Sequence, residues 1–180
     1  MRKSIFALVL LFACASLDVA GQDDRAVVGT VSEVLSSFPE GKCVVADYEL
    51  SVEASGSAKI SYAGKLWWQG GMFRIEGDGY TIFCDGEHIW TSDIVSCEVV
   101  REEALPIDAL IPTYGDGEEN LRITRTPDGK KLKSISMKMK NGAAVSIAVP
   151  SMTFTELHPV TYFRLDEKKV PQNFVVTILD

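Results

Sequence analysis

The chain has 180 residues, 46% of them hydrophobic, and a formal net charge of −7. That length suits one domain with a sizeable core. The acidic balance, with no basic stripe to override it, excludes a general attraction for nucleic acid or anionic membrane.

At the N-terminus Arg2 and Lys3 precede an apolar run over residues 5–12, and small residues follow at Ala13, Ala15, Ser16, Ala20 and Gly21. This order describes an export signal, too short to span a membrane as a stable helix. Cleavage is expected after Gly21, making residues 1–21 the signal and residues 22–180 a single domain. Cleavage after Ala15, or acylation of Cys14 within residues 11–14 to anchor the protein, are the alternatives. No other segment approaches the roughly 20 apolar residues of a membrane span. Export removes Cys14 and leaves Cys43, Cys84 and Cys97, an odd number, so no disulfide framework carries the fold.

Val27, Val31, Val34, Leu35 and Phe38 recur at helical spacing, with Asp23 or Asp24 as the cap and Pro39 as the stop. From Val44 the period changes to two. Strands are expected over 44–52, 58–62, 64–69, 72–76, 81–84, 88–92 and 96–101. Residues 102–117 break the rhythm: Ala104, Leu105, Ile107, Leu110 and Ile111 lie among acidic residues and Pro106 and Pro112, a short helix or apolar loop. Strands resume over 120–126, 132–140, 143–149, 161–165 and 174–179, with Asp78-Gly79, Asp85-Gly86 and Asn141-Gly142 as turns. The predicted fold is mainly β with an N-terminal helix, a single antiparallel sheet of roughly nine to eleven strands, too large to stay flat.

The alternation gathers large apolar side chains on one face: Leu66 with Trp68, Phe73 with Ile75, Ile82 with Cys84, and Ile135 with Met137 and Met139. Val145, Ile147 and Val149 continue it. Burying such side chains is worth roughly 1.5–3 kcal/mol each, so an ordinary core explains most of the pattern. One helix and one short flap are scant cover for so wide a face, which leaves an apolar ligand site open beside that reading. Trp67 and Trp68, adjacent in a strand, must point to opposite faces.

Read in order, Gly64-x-Leu66-Trp67-x-Gln69-Gly70-x-x-Phe73-Arg74-Ile75, then Asp85-Gly86-x-x-x-Trp90, then Glu98-Val99 resembles the LolA-like family of outer-membrane lipoprotein carriers, in the variants common in Bacteroides-type bacteria. The ending Phe163-x-Leu165-Asp166-x-Lys168-x-x-Pro171 with Val176-x-Ile178-x-Asp180 is similar too. The resemblance covers most of residues 25–180 and is weak over 102–130. It implies a strongly curved, incomplete β-barrel whose helical or loop lid covers an apolar cavity. It also implies a periplasmic carrier that receives acylated lipoproteins, or another lipid, from an inner-membrane release complex and delivers them to an outer-membrane acceptor. The cavity wall then falls to Leu66, Trp68, Phe73, Ile75, Ile82, Trp90, Ile135, Met137, Met139 and Ile147. The lid falls to Val31, Leu35, Phe38, Leu105, Leu110 and Ile111. A monomer is expected. The better-known members carry an arginine just after the strand matching Leu66–Trp68, where it helps hold the lid; Gln69-Gly70-Gly71 stands there instead.

No catalytic constellation accompanies these residues. His88 and His158 lack a nucleophile or metal-ligand neighbourhood, Cys84-x-x-x-His88 with Cys97 lacks paired zinc spacing, and the acidic pairs lie at element ends. The reading is therefore of a non-enzymatic protein without metal or cofactor. The alternative is an anchored lipoprotein acceptor or envelope sensor on the same fold, using Trp67 and residues 102–119 toward a protein partner.

Overall fold

The computed structural model describes residues 38–53, 59–104, 121–127, 131–138 and 143–179, with Leu121, Met137 and Lys138 described by backbone alone. The predicted signal, the predicted helix before Phe38 and residues 105–120 lie outside the described residues. So do Met139 and every lid residue except Phe38, which stands half-buried in a bend.

Ten strands are described: β1 (Cys43–Glu53), β2 (Ile60–Gln69), β3 (Met72–Gly77), β4 (Tyr80–Cys84), β5 (His88–Asp93), β6 (Glu98–Glu103), β7 (Leu121–Arg125), β8 (Leu132–Lys138), β9 (Ala144–Thr155) and β10 (Val175–Leu179). They form one sheet in the order β10-β6-β5-β4-β3-β2-β1-β9-β8-β7. The chain is thus mainly β. One pairing departs from the expected antiparallel sheet: β10 lies parallel to β6, with Val175 opposite Glu98. Parallel neighbours need a long crossover, and here residues 104–174 connect the two strands.

The described residues fall into two compact units. The first comprises residues 40–47, 63–104 and 153–179 and holds the meander β2 to β6. Its hairpins follow from local chemistry. Gly70 and Gly71 form the two-residue loop between paired Gln69 and Met72, with φ of 55° and 90°. Positive φ at both loop positions matches the right-handed twist of the flanking strands, and glycine adopts it without a Cβ clash. At the β5–β6 turn the Asp93 carboxylate accepts from the N–H groups of Val95 and Ser96, at 2.8 and 3.2 Å.

Residues expected as a strand over 161–165 form instead a 3-10 turn, Val160–Phe163, packed against β3. A second 3-10 turn, Glu167–Lys169, follows. Pro159 fixes the entry, and Tyr162 and Phe163 then bury their rings on one face of the meander rather than alternate along a sheet. Phe163 is fully buried.

In the second unit, which holds described residues 48–53, 59–62, 121–127, 131–138 and 143–152, Ile123, Ile135 and Ile147 stand side by side on β7, β8 and β9, and all three are buried. Val145 lies opposite Met137 in the same register. Ser134 and Ser136 alternate to the other face, the pattern their spacing predicts.

Candidate ligand-binding face

Register sorts the meander of the first unit into two chemically different faces. On one, Leu66 lies opposite Ile75, and Ile75 opposite Ile82; Trp68 lies opposite Phe73, Phe73 opposite Cys84, and Cys84 opposite Ile89. All of these side chains are buried, Trp68 stacks on Phe73 with ring centroids 5.9 Å apart, and Tyr80 adds a ring over Gly77. No charged side chain falls on this face along β2, β3 or β4.

Of the ten expected wall residues, Leu66, Trp68, Phe73, Ile75 and Ile82 share this face. Ile135 and Ile147 share a face in the second unit, where Met137 is placed by backbone register alone. Trp90 is a correction. It pairs with Phe83 and lies on the opposite face from Trp68. Each tight hairpin of the meander pairs odd with even positions, so the apolar set switches from Leu66 and Trp68 to Phe73 and Ile75, back to Ile82 and Cys84, and then to Ile89. Carrying that switch through the Asp85-Gly86 turn points to Ile89 as the β5 residue that shares this face.

The second face carries Trp67, Arg74, Phe83, Trp90 and Arg101 in one row across β2 to β6. The C-terminal segment crosses this row in chain order. His158 meets the end of β2, where the Gln69 side chain donates to its carbonyl at 2.9 Å and accepts from its N–H at 2.8 Å. Tyr162 stacks on His158 at 4.2 Å and meets Trp67 edge-on at 5.9 Å. The Arg74 guanidinium sits 4.8 Å from the Tyr162 ring, 5.0 Å from Phe83 and 5.7 Å from Trp67, and pairs with Glu76. A cation enclosed by ring faces is held by their quadrupoles and by shared desolvation. Trp67, the expected partner-facing tryptophan, is thus half-buried within this chain's own contacts. Gln69 takes the position of the missing arginine and serves this strap.

Further along, Arg164 places its Nε 2.7 Å from Asp85 Oδ2 and its guanidinium 5.9 Å from the Trp90 ring. Asp85 Oδ1 accepts from the N–H groups of Glu87 and His88, at 3.0 and 2.9 Å. Burial of this carboxyl acts to raise its pKa, but the His88 and Glu87 donors and the Arg164 charge together outweigh it and hold the group below its ordinary value. The Asp85-Gly86-x-x-x-Trp90 motif is therefore a hairpin brace: Asp85 fixes the turn and ties down the strap, while Trp90 supports Arg164.

Cys43, Cys84 and Cys97 are free thiols. Burial pushes the Cys84 thiol up to about 11, against a partly offsetting hydrogen bond from the Gly86 backbone. Among the described residues no group of three His, Cys, Asp or Glu side chains could hold a metal ion.

A mainly β chain whose β2–β4 meander has one uncharged apolar face and the other strapped by the C-terminal segment is the class these observations define. In structure the chain is similar to an uncharacterized conserved protein from Thermus thermophilus, with a TM-score of 0.52 at 10% identity, covering 77% of this chain and 91% of that one. At this identity the likeness is one of fold. Its structural neighbours also include a LolA superfamily protein from Nitrosomonas europaea, with a TM-score of 0.43 at 10% identity over 72% of this chain and 92% of that one. A DUF1329 family protein from Desulfovibrio piger has a TM-score of 0.43 at 11% identity, over 76% and 94%. No family model and no curated protein matches the chain.

Proposed function

We propose that the protein is an exported, non-catalytic carrier that shelters the acyl chains of lipoproteins, or of another lipid ligand, in transit through the periplasm from inner to outer membrane. The observation that carries this reading is the asymmetry of the β2–β4 meander. One face is occupied by the chain's own strap through Gln69, Arg74 and Asp85. The other presents Leu66, Trp68, Phe73, Ile75, Ile82 and Cys84 with no charge among them.

An acyl chain gains about 0.8 kcal/mol per methylene moved out of water. It needs area without polar groups, which this face offers. Hand-over also requires a wall that repacks, a role suited to the thioethers of Met137 and Met139.

Native mass spectrometry of the exported protein tests the proposal, the expected result being a co-purifying acyl lipid. Fatty acids of increasing length should displace a fluorescent acyl probe with affinity rising about fourfold per methylene. Trp68→Glu should abolish displacement while circular dichroism retains the β signature. Lipid-free protein whose probe binding ignores chain length would sink the reading, whatever the folding of the variant.

A further inference from the structure

We infer that the groove between the strap and β5–β6 is a second binding site, one that takes a phosphomonoester. The groove lies on the strapped face of the first unit, has a volume of about 730 Å³, and is lined by His88, Trp90, Arg101, Arg164, Lys168 and Lys169, among others. Small-molecule sites typically span about 300–1,000 Å³, so it has room for a phosphate and an attached organic group.

Its charge is unlike that of the whole chain. Four cations converge in a protein of formal charge −7. Three have carboxylate partners: Arg164 with Asp85, Arg101 with Glu167 at 3.7 Å, and Lys169 with Asp166 at 3.4 Å. The Lys168 ammonium has none among the described residues, so a net positive charge remains.

The partners differ in kind. Asp85 is buried, with 1% of its side chain exposed, and acts as an anchor. It takes Nε and Nη2 of Arg164 and leaves Nη1 without a partner among the described residues. Glu167 and Asp166 are 61% and 50% exposed and hold their cations loosely. Such exposed pairs are weak and yield readily to a multivalent anion.

The Trp90 ring lines the groove with the Arg164 guanidinium 5.9 Å from its centroid. A phosphomonoester brings up to two negative charges and three acceptor oxygens, matching the guanidinium forks of Arg101 and Arg164 and the ammonium of Lys168. It could reach the groove as a phosphorylated lipid headgroup or as a soluble ester; the recognising chemistry is the same.

The test uses the full exported chain at low ionic strength, with tryptophan fluorescence and calorimetry as readouts. The probes are inorganic phosphate, glycerol 3-phosphate and dihexanoyl phosphatidic acid. At least one ester should bind more tightly than inorganic phosphate. Arg101→Gln should weaken it about tenfold, the value of one charge-assisted hydrogen bond, and Lys168→Gln should weaken it by a smaller factor. Lys59→Gln, remote in sequence and outside the groove, should leave it unchanged.

Binding of both esters marks a soluble ligand, whereas binding of the phosphatidic acid alone marks a lipid headgroup. Three results overturn the proposal: no ester binding, equal binding of glycerate or an acidic peptide, or ester binding indifferent to both groove variants. Glycerol 3-phosphate has no acyl chain, so its result is independent of the apolar face. Phosphatidic acid binding that survives Arg101→Gln belongs to that face and counts against the groove.

Discussion

Gln69 and His158 hold each other by two hydrogen bonds, carboxamide to backbone in both directions, across 89 residues of sequence. Gln69 is buried, so neither bond is readily replaced by water. Gln69→Ala should lower stability by about 1–3 kcal/mol, read from the urea midpoint. Gln69→Glu keeps the acceptor for the His158 N–H but sets a carboxylate oxygen against the His158 carbonyl. Its deficit relative to the parent should shrink as pH falls and the new carboxyl gains a proton to donate. A deficit independent of pH would contradict the pairing.

Asp85 makes a pH-dependent contribution of defined sign. Its pKa is lowered in the folded protein, so this contribution is complete above the ordinary aspartate value near about 4. It is lost as pH falls through the lower native value. Asp85→Asn should cost about 1–3 kcal/mol at neutral pH and flatten the acid limb of the stability curve. Urea titrations across that limb measure both effects.

The thiols should separate by reactivity. Cys84, at about 11, and Cys43, also raised by burial, are protonated and covered at neutral pH. Cys97 sits half-buried in the β5–β6 turn at a φ of 52°. Iodoacetamide should label Cys97 in the native protein and spare the other two until urea is added, as peptide mass mapping would report. Native labelling of Cys84 would contradict the register that buries it.

Gly77 makes room for a ring. A Cβ there would fall inside the Tyr80 side chain, which folds back over its hairpin partner. Gly77→Ala should destabilise by about 1–3 kcal/mol. In a Tyr80→Ala background the same change should cost much less, a coupling that a double-mutant cycle quantifies.

Much of the meander is readable from residue alternation and turn chemistry. The expected strands over 72–76, 81–84 and 88–92 each differ from the observed strand by one residue at one end. Two expected strands over 58–62 and 64–69 are one, β2, because Gly64 pairs with Gly77 rather than breaking the ladder. Pro150 does not end β9, which continues to Thr155. There the buried positions shift phase, from Val145, Ile147 and Val149 to Met152.

Trp90 was misplaced because the face of a residue depends on hairpin register, which a strand's own alternation does not contain. The strap was illegible for a related reason. Tyr162, Phe163 and Arg164 read locally as an extended run, and only their distant partners Trp67, Arg74 and Asp85 turn them into a covering segment. The expected helix and the 105–111 lid lie outside the described residues.

The parallel placement of β10 has a consequence in time. Thr177 donates to Glu98 from 79 residues away, and between them lie the second unit's strands and the whole strap. Antiparallel hairpins such as β3–β4 form within microseconds from neighbours in sequence. The β6–β10 ladder must wait until a long stretch of chain has been laid across Gln69, Arg74 and Asp85, because loop closure costs entropy before distant contacts return any. Refolding should therefore be biphasic, with Phe163 burial and β10 docking together in the slower phase. Until then the edge of β6 stands open, and the apolar Val175, Val176, Ile178 and Leu179 await it unpaired.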